Sequence, residues 1–438
     1  MADRRTAPRS LSATPGSITL LSIPGQNPFP AVRLVAWSFG SWELESGIWE
    51  LPPNSMPDLS CDVAIIGGGI IGTSLAWNLA KAGVRDVAVI EREINPGLGS
   101  TAKAAGGIRA QFGSDINVRL SKLSIELFES FHRDVGVEVD FVQAGYLWIG
   151  TSAAEMETFR RNVDLQRSRG LDVRLLDRDG VKEKAPYVRL DDVAGGTFHQ
   201  RDGYAPPADY VMGYHKASKA LGVTYLLETE VTGVLTAKGA AAGVKTNKGE
   251  IKANRVVCAA GAFSGTVGKM MGVEIPVEPV RRQCFVTEKI SDLPHPIPMT
   301  IDYTTGVYCH SESGGVLVGM ADKEEPPSFN QNVDYPFIEK MAEKAMHRVP
   351  RLESAAIKTQ WAGLYEVTPD HHPILGELPG VKNFYLATGF SGHGVMHAPA
   401  TGKLMAELMT TGKTSIDIRP LRYERFKEGD LIRETHVI

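Results

Sequence analysis

The 438-residue sequence is short of cysteine: it has 4, at Cys61, Cys258, Cys284 and Cys309. None forms a CxxC pair and none has a histidine at metal-ligand spacing, so no metal site is expected. No stretch approaches the ~18 consecutive apolar residues that a membrane helix needs, so no transmembrane segment is expected. A basic excess is missing as well. Lys and Arg total 47 against 51 Asp and Glu, a formal net charge of -4. The positive field that would gather nucleic acid or anionic lipid is therefore absent. Lysine does not occur in residues 1–55, where Arg4, Arg5 and Arg9 face only Asp3, and Pro24, Pro28 and Pro30 break the apolar pieces. Those prolines interrupt the amphipathic helix of a transit peptide, so 1–55 reads as an atypical N-terminal extension rather than an organellar targeting segment. The expected location is cytoplasmic, with peripheral contact at a membrane surface as the alternative.

What is present is enough for a large core. With 43% hydrophobic and 22% charged residues, the chain can fold as two domains. Residues 62–66 form a short β-branched run suited to a central parallel strand. A helical pattern over 71–81 stops at Gly83, and 86–91 supplies a second buried strand, giving a right-handed βαβ unit. Between strand and helix stands Gly67-Gly68-Gly69-Ile70-Ile71-Gly72, a G-x-G-x-x-G turn. Gly67 permits the tight turn, Gly69 lets a pyrophosphate approach the backbone, and Gly72 lets helix and strand pack closely. Free N–H groups at the helix start hold the phosphate charge. Glu91 follows the second strand, where its carboxylate accepts from ribose hydroxyls and disfavours a 2′-phosphate. Together these features predict a dinucleotide site, common to FAD and NAD.

Two further segments separate the possibilities. Residues 99–109, reading GSTAKAAGGIR, place Ser100 and Thr101 where a second pyrophosphate contact falls, then Gly106 and Gly107 where a flat ring can lie against the backbone. Gly389-Phe390-Ser391-Gly392-His393-Gly394 stands at the start of the long helix that carries 401–408. Backbone amides of such a loop, at Gly389, Gly392 and Gly394, can donate to a flavin edge that gains negative charge on reduction. His393 is either part of that site or a satisfied structural histidine. Strands at 224–234, with Val231 as a cofactor contact, and at 255–261, ending in Gly261, complete the nucleotide unit. The fold class is thus α/β: a discontinuous Rossmann-like FAD-binding domain (56–139, 206–270 and 356–438) with a second, mostly antiparallel β-sheet substrate domain (140–205 and 271–355).

These blocks, with 256–262 and Thr368-Pro369-Asp370, resemble the D-amino-acid oxidase superfamily, nearest the branch of sarcosine oxidases, dimethylglycine dehydrogenase and proline dehydrogenase β-subunits. The resemblance covers about 62–426. It implies an FAD enzyme that oxidises a small secondary or tertiary amino acid by hydride transfer to flavin N5, with a partner subunit in some relatives. Departures refine this. Lys103 stands where some relatives carry a flavin-tethering histidine, Gly363 where others carry a tethering cysteine, and Ala208 near an FMN-linking histidine. Non-covalent FAD and no FMN follow. Leu317 replaces an oxygen-activating lysine, which favours a dehydrogenase passing electrons to a carrier protein or quinone over an oxidase using oxygen.

For the substrate, the resemblance places Arg109 as a carboxylate clamp, a role suited to a planar guanidinium. Its second basic partner is replaced by Met396. Tyr365 matches a tyrosine lining the pocket and Tyr308 is a further candidate, each with a core or rim aromatic as the competing role. No side chain stands out as a base, and His371 and His372 read as surface or structural residues. Two other functions are compatible with the same blocks: oxidation of a 2-hydroxy acid or alcohol carbon, and a flavin-bound assembly factor for a respiratory complex.

Overall fold

The computed structural model describes residues 59–436, so the extension expected over 1–55 lies outside the described residues. The first strand, Leu59–Ile66, is followed by the helix Ile70–Lys81 and the strand Val87–Ile90. The first strand pairs in parallel with Val87–Ile90 on one side and Gly249–Cys258 on the other. Val63, Ala64 and Ile65 are wholly buried, as a strand covered on both faces requires. Thr224–Leu226 and Phe384–Thr388 extend this sheet in parallel, and the antiparallel Ile374–Glu377 closes one edge. A hairpin, Val231–Ala237 and Ala240–Thr246, pairs with Gly249–Cys258 to make eight strands.

The helix Gly394–Thr411 packs against Ile70–Lys81, and Ser74 Oγ donates to the Ala398 carbonyl at 2.9 Å. A Cβ at Gly402 would collide with Ser74, so only glycine allows this approach. The helix begins at Gly394, directly on the glycine loop, and carries 401–408 as expected. Ser74→Ala is expected to cost about 1 kcal/mol, because the hydroxyl's buried bond to the Ala398 carbonyl is lost; chemical denaturation measures it.

The second sheet also has eight strands, ordered Ile357–Val367, Glu278–Thr287, Gly315–Met320, Tyr308–Glu312, Met299–Asp302, Tyr146–Gly150, Gly195–His199, Arg174–Leu176. Its pairs are antiparallel except Met299–Asp302 with Tyr146–Gly150. Ile357–Val367 lies beyond the expected boundary at 355/356, yet it pairs along its length with Glu278–Thr287. The boundary drawn from turn composition misses this because the strand is long and runs from the rim of the second sheet back to the first. Membership of this strand matters for the site, since it carries Gly363, Tyr365 and Glu366 into the gap between the sheets.

Candidate active site

A cavity between the two sheets is lined by the first glycine turn, the 99–107 segment, Gly261, the second sheet's face and the loop before Gly394–Thr411. Gly67 has φ +106°, and a Cβ there would strike the Ala259 carbonyl; a Cβ at Gly72 would strike the Gly67 carbonyl. The turn is therefore possible only with glycine, and it leaves the Ile70–Lys81 N-terminus open to the cavity. Gly67 and Gly69 line the wall, whereas Gly72 lies behind it as a packing residue. Thr101 Oγ1 accepts from Ile70 N–H at 3.2 Å, tying the 3-10 turn Ser100–Lys103 to the helix start.

Glu91 Oε2 accepts from Gly68 N–H at 2.7 Å and Oε1 from Glu93 N–H at 2.9 Å, so the acid also holds the turn it was expected to complement. Ser100, Thr101, Gly106, Gly107, Val231, Gly261, Gly392, His393 and Gly394 all line the cavity. Gly389 does not; its φ of +78° shapes the loop, and its N–H donates to Glu366 Oε2 at 2.8 Å. The glycine cradle, the open helix start and the acid beyond the second strand fit the pyrophosphate and ribose of FAD.

Arg109, Tyr365 and Tyr308 are brought to the same cavity. Arg109 is 1% exposed, and no carboxylate of the described residues lies within ion-pair distance of it. Burial lowers its pKa, against the opposing pull of Tyr146, Glu434 and Asp202. Its guanidinium sits 3.9 Å from the Phe112 ring centroid and 5.0 Å from that of Trp148. His393 Nε2 lies 3.4 Å from Arg109 Nη2, and because a guanidinium only donates, Nε2 is the accepting nitrogen. Burial, then the Arg109 charge, push the His393 pKa well below the usual range, leaving it neutral. His372 is a structural residue, fully buried between Ser114 Oγ at 2.8 Å and the Asp370 carbonyl at 2.6 Å.

Burial pushes the phenols of Tyr365 and Tyr308 up, so neither is a base at neutral pH. Tyr308 contacts Cys284 Sγ at 3.4 Å. Lys103 and Gly363 face each other: a Cβ at Gly363 would crowd that of Lys103, while Lys103 Nζ turns to Gln331 Oε1. Leu317 is packed with Cys284 and Val286, and Met396 lines the cavity without charge.

Two cavity groups escaped the sequence reading. Arg282 lies on the wall opposite Gly363 in register, 5.3 Å from the Tyr365 ring, with its Nε unpartnered among the described residues. Glu366 accepts from Thr388 Oγ1 at 2.9 Å as well as from Gly389. Burial pushes its carboxyl up to about 7 in spite of these donors. An acid in the strand WAGLYEV is a signal in itself, because a charge there needs partners.

The raised pKa has a signed consequence. Between about pH 4.3 and 7 the folded chain keeps a proton that the unfolded chain has lost, so this group's contribution falls as pH rises through that window and is flat above it. Relative to Glu366→Gln, the wild type is expected to lose stability with a limiting slope of about 1.4 kcal/mol per pH unit, read by urea unfolding at pH 5 to 8.

Comparison with known proteins agrees with this geometry. Residues 62–408 match the family model described as FAD dependent oxidoreductase, DAO. The FAD-dependent oxidoreductase domain-containing protein 1 of Xenopus laevis is 30% identical over 447 residues, covering 90% of this chain and 89% of that protein. Mitochondrial dimethylglycine dehydrogenase of Rattus norvegicus is 30% identical over 86% of this chain, which spans only 46% of that relative. The crystal structure of L-proline dehydrogenase from P. horikoshii superposes with a TM-score of 0.81 at 35% identity, covering 86% of this chain and 100% of that one. The chain is an FAD-dependent oxidoreductase and belongs to the DAO family.

Proposed function

We propose that this enzyme oxidises the C–N bond of a small secondary or tertiary amino acid of the sarcosine, dimethylglycine or proline type. The observation that carries this reading is Arg109: a buried guanidinium in the cavity wall with no carboxylate partner among the described residues. A buried cation left without its counter-ion is costly, and a substrate carboxylate supplies one. When bound, FAD would supply the hydride acceptor for the carbon beside nitrogen. Gly67, Gly69, Glu91, Ser100 and Thr101 would hold its dinucleotide part, and the Gly392 and Gly394 backbone would hold its ring. The first sheet serves the cofactor and the second the substrate.

Arg109 fixes the carboxylate, and the protonated phenols of Tyr365 and Tyr308 close the pocket around the amine. The neutral His393 adds no positive charge beside the amine. No side chain is needed as a base when the amine enters neutral, so placement does most of the work. The names of the dimethylglycine and proline dehydrogenases among the relatives are in keeping with this class.

Lys103 engages Gln331 and Gly363 has no side chain, so we assign FAD a non-covalent attachment. Acid precipitation is expected to leave the flavin in the supernatant; yellow colour in the pellet would contradict it. The substrate class is tested by adding sarcosine, dimethylglycine and L-proline anaerobically to the FAD-loaded protein, with lactate and glycerol 3-phosphate in parallel. Loss of flavin absorbance with an amine supports the proposal. Bleaching by the hydroxy compounds alone points to oxidation of a C–O bond instead, and no bleaching by any donor favours a non-catalytic flavoprotein.

A further inference from the structure

Arg109 is held from a distant part of the chain. Its Nη2 donates to the carbonyl of His436 at 2.7 Å, a contact spanning 327 residues, and its Nη1 donates to the Gln111 carbonyl at 2.6 Å. His436 Nδ1 lies 3.0 Å from that same Gln111 carbonyl. A carbonyl only accepts, so Nδ1 carries the imidazole proton, and Nε2 accepts from Asn162 Nδ2 at 3.1 Å. His436 thus grips the guanidinium twice: directly through its own carbonyl, and through the Gln111 oxygen that both side chains share. Its ring stacks on Trp148 with centroids 4.5 Å apart and planes at 13°, and Trp148 in turn flanks Arg109.

Two residues earlier, Glu434 is an anchor. Oε1 accepts from the N–H groups of Gly113 at 2.7 Å, Thr435 at 2.9 Å and His436 at 2.9 Å, and Oε2 from Ser114 Oγ at 2.8 Å and Asn117 Nδ2 at 3.0 Å. The carboxylate sits at the start of the helix Asp115–Glu129, where free N–H groups and the helix dipole favour negative charge. This helix follows the strand end that bears Arg109, so the anchor fixes both sides of the grip. Tyr303 Oη adds a bond to the Thr435 carbonyl at 2.8 Å.

A guanidinium has five N–H groups, and the two carbonyls and the His393 contact account for three. N–H capacity remains for a ligand, in a direction set by the groups already engaged. We infer that residues 434–436 are the positioning element of Arg109, setting the orientation in which its guanidinium receives the substrate carboxylate. This rests on the proposed role of Arg109. The segment acts only through Arg109 and adds specificity for an acid group on the substrate.

The test uses the FAD-loaded protein and acetate as a carboxylate probe, its dissociation constant read from the perturbation of flavin absorbance, with KM and kcat measured on whichever amino acid bleaches the flavin. Glu434→Ala and His436→Ala are expected to weaken acetate and raise KM by about tenfold each, with kcat changed by less than about threefold and FAD retained. Neither is expected to weaken acetate further once Arg109→Ala is present. His436→Asn, whose amide keeps a donor for the Gln111 carbonyl, recovers most of the affinity. Unchanged acetate affinity in folded Glu434→Ala and His436→Ala proteins overturns the inference while leaving Arg109 as the clamp. If Arg109→Ala itself leaves acetate binding unchanged, the carboxylate role fails and the inference falls with it. Should the alanine variants not fold, His436→Phe carries the comparison: it keeps a ring on Trp148 but has no donor for the Gln111 carbonyl, so it is expected to weaken acetate where His436→Asn does not, and wild-type acetate affinity in His436→Phe counts against the inference.

Discussion

Arg109→Ala is expected to raise KM for an amino-acid substrate about 10- to 100-fold, the loss of one charge-assisted contact of roughly 1.5–3 kcal/mol, while FAD stays bound. The side chain lies in the cavity wall but outside the glycine cradle, so cofactor and substrate effects separate. Arg109→Lys is expected to recover only part of the loss. An ammonium is a point donor, and it cannot span the Gln111 and His436 carbonyls while presenting a planar pair of N–H groups to a carboxylate. Steady-state kinetics on the amine that bleaches the flavin, together with the bound-flavin spectrum, measure both quantities.

The second large effect is expected at the first turn. In Gly72→Ala the new methyl meets the Gly67 carbonyl, which is backbone and cannot swing aside. The Ile70–Lys81 helix start must then move off the strand end, and the N–H groups that face the pyrophosphate move with it. Overpacking of this kind costs up to about 3 kcal/mol, which corresponds to FAD affinity lower by about 100-fold. The variant is expected to purify largely without flavin, and titration with FAD followed by fluorescence quenching gives the dissociation constant. Gly68→Ala provides the contrast. Its Cβ would meet the Glu91 side chain at 3.0–3.3 Å, a movable neighbour, and a milder loss follows.

The sequence made the glycine-turn side of the cavity legible because its requirements are local. A tight turn, a helix start and an acid after the next strand lie within 67–91, and each demands a particular residue type. Ser391–Gly394 was legible for the same reason, whereas Gly389 shapes the loop from behind. The opposite wall of the cavity is assembled from afar. Arg282 and Cys284 alternate on one strand, Tyr365 comes from its neighbour, and only the register Arg282↔Gly363 brings them to one wall. Spacing along the chain carries no trace of that pairing.

Asp370 is a related case. It was read as part of a family block, and its physical role becomes visible only with Arg425, whose Nε and Nη2 bond its two oxygens at 2.8 and 2.9 Å in a fully buried pair. Burial works against the Asp370 carboxylate, but the Arg425 hydrogen bonds and charge outweigh it and hold the carboxyl below its usual range. Glu434 and His436 were invisible for a further reason: a charged, polar stretch far from any motif resembles an ordinary surface tail until its partners are known.

The strand Ile357–Val367 shows how a boundary and a site can fail together. Assigned to the nucleotide unit, it left Glu366 without a reason to be noticed. Paired in the second sheet, it brings Tyr365 to the cavity wall and Glu366 to the loop before Gly394–Thr411.

If an amine is oxidised while Arg109 holds its carboxylate, a matched pair of ligands shows it most directly. The rate of anaerobic flavin bleaching is compared for the amino acid that reduces the enzyme and for its primary amide, at equal sub-saturating concentration and corrected for the fraction of free amine. With the carboxylate neutralised, the amide is expected to react at least about tenfold more slowly in the wild type, and the two are expected to converge in Arg109→Ala. Equal rates in the wild type would contradict the account.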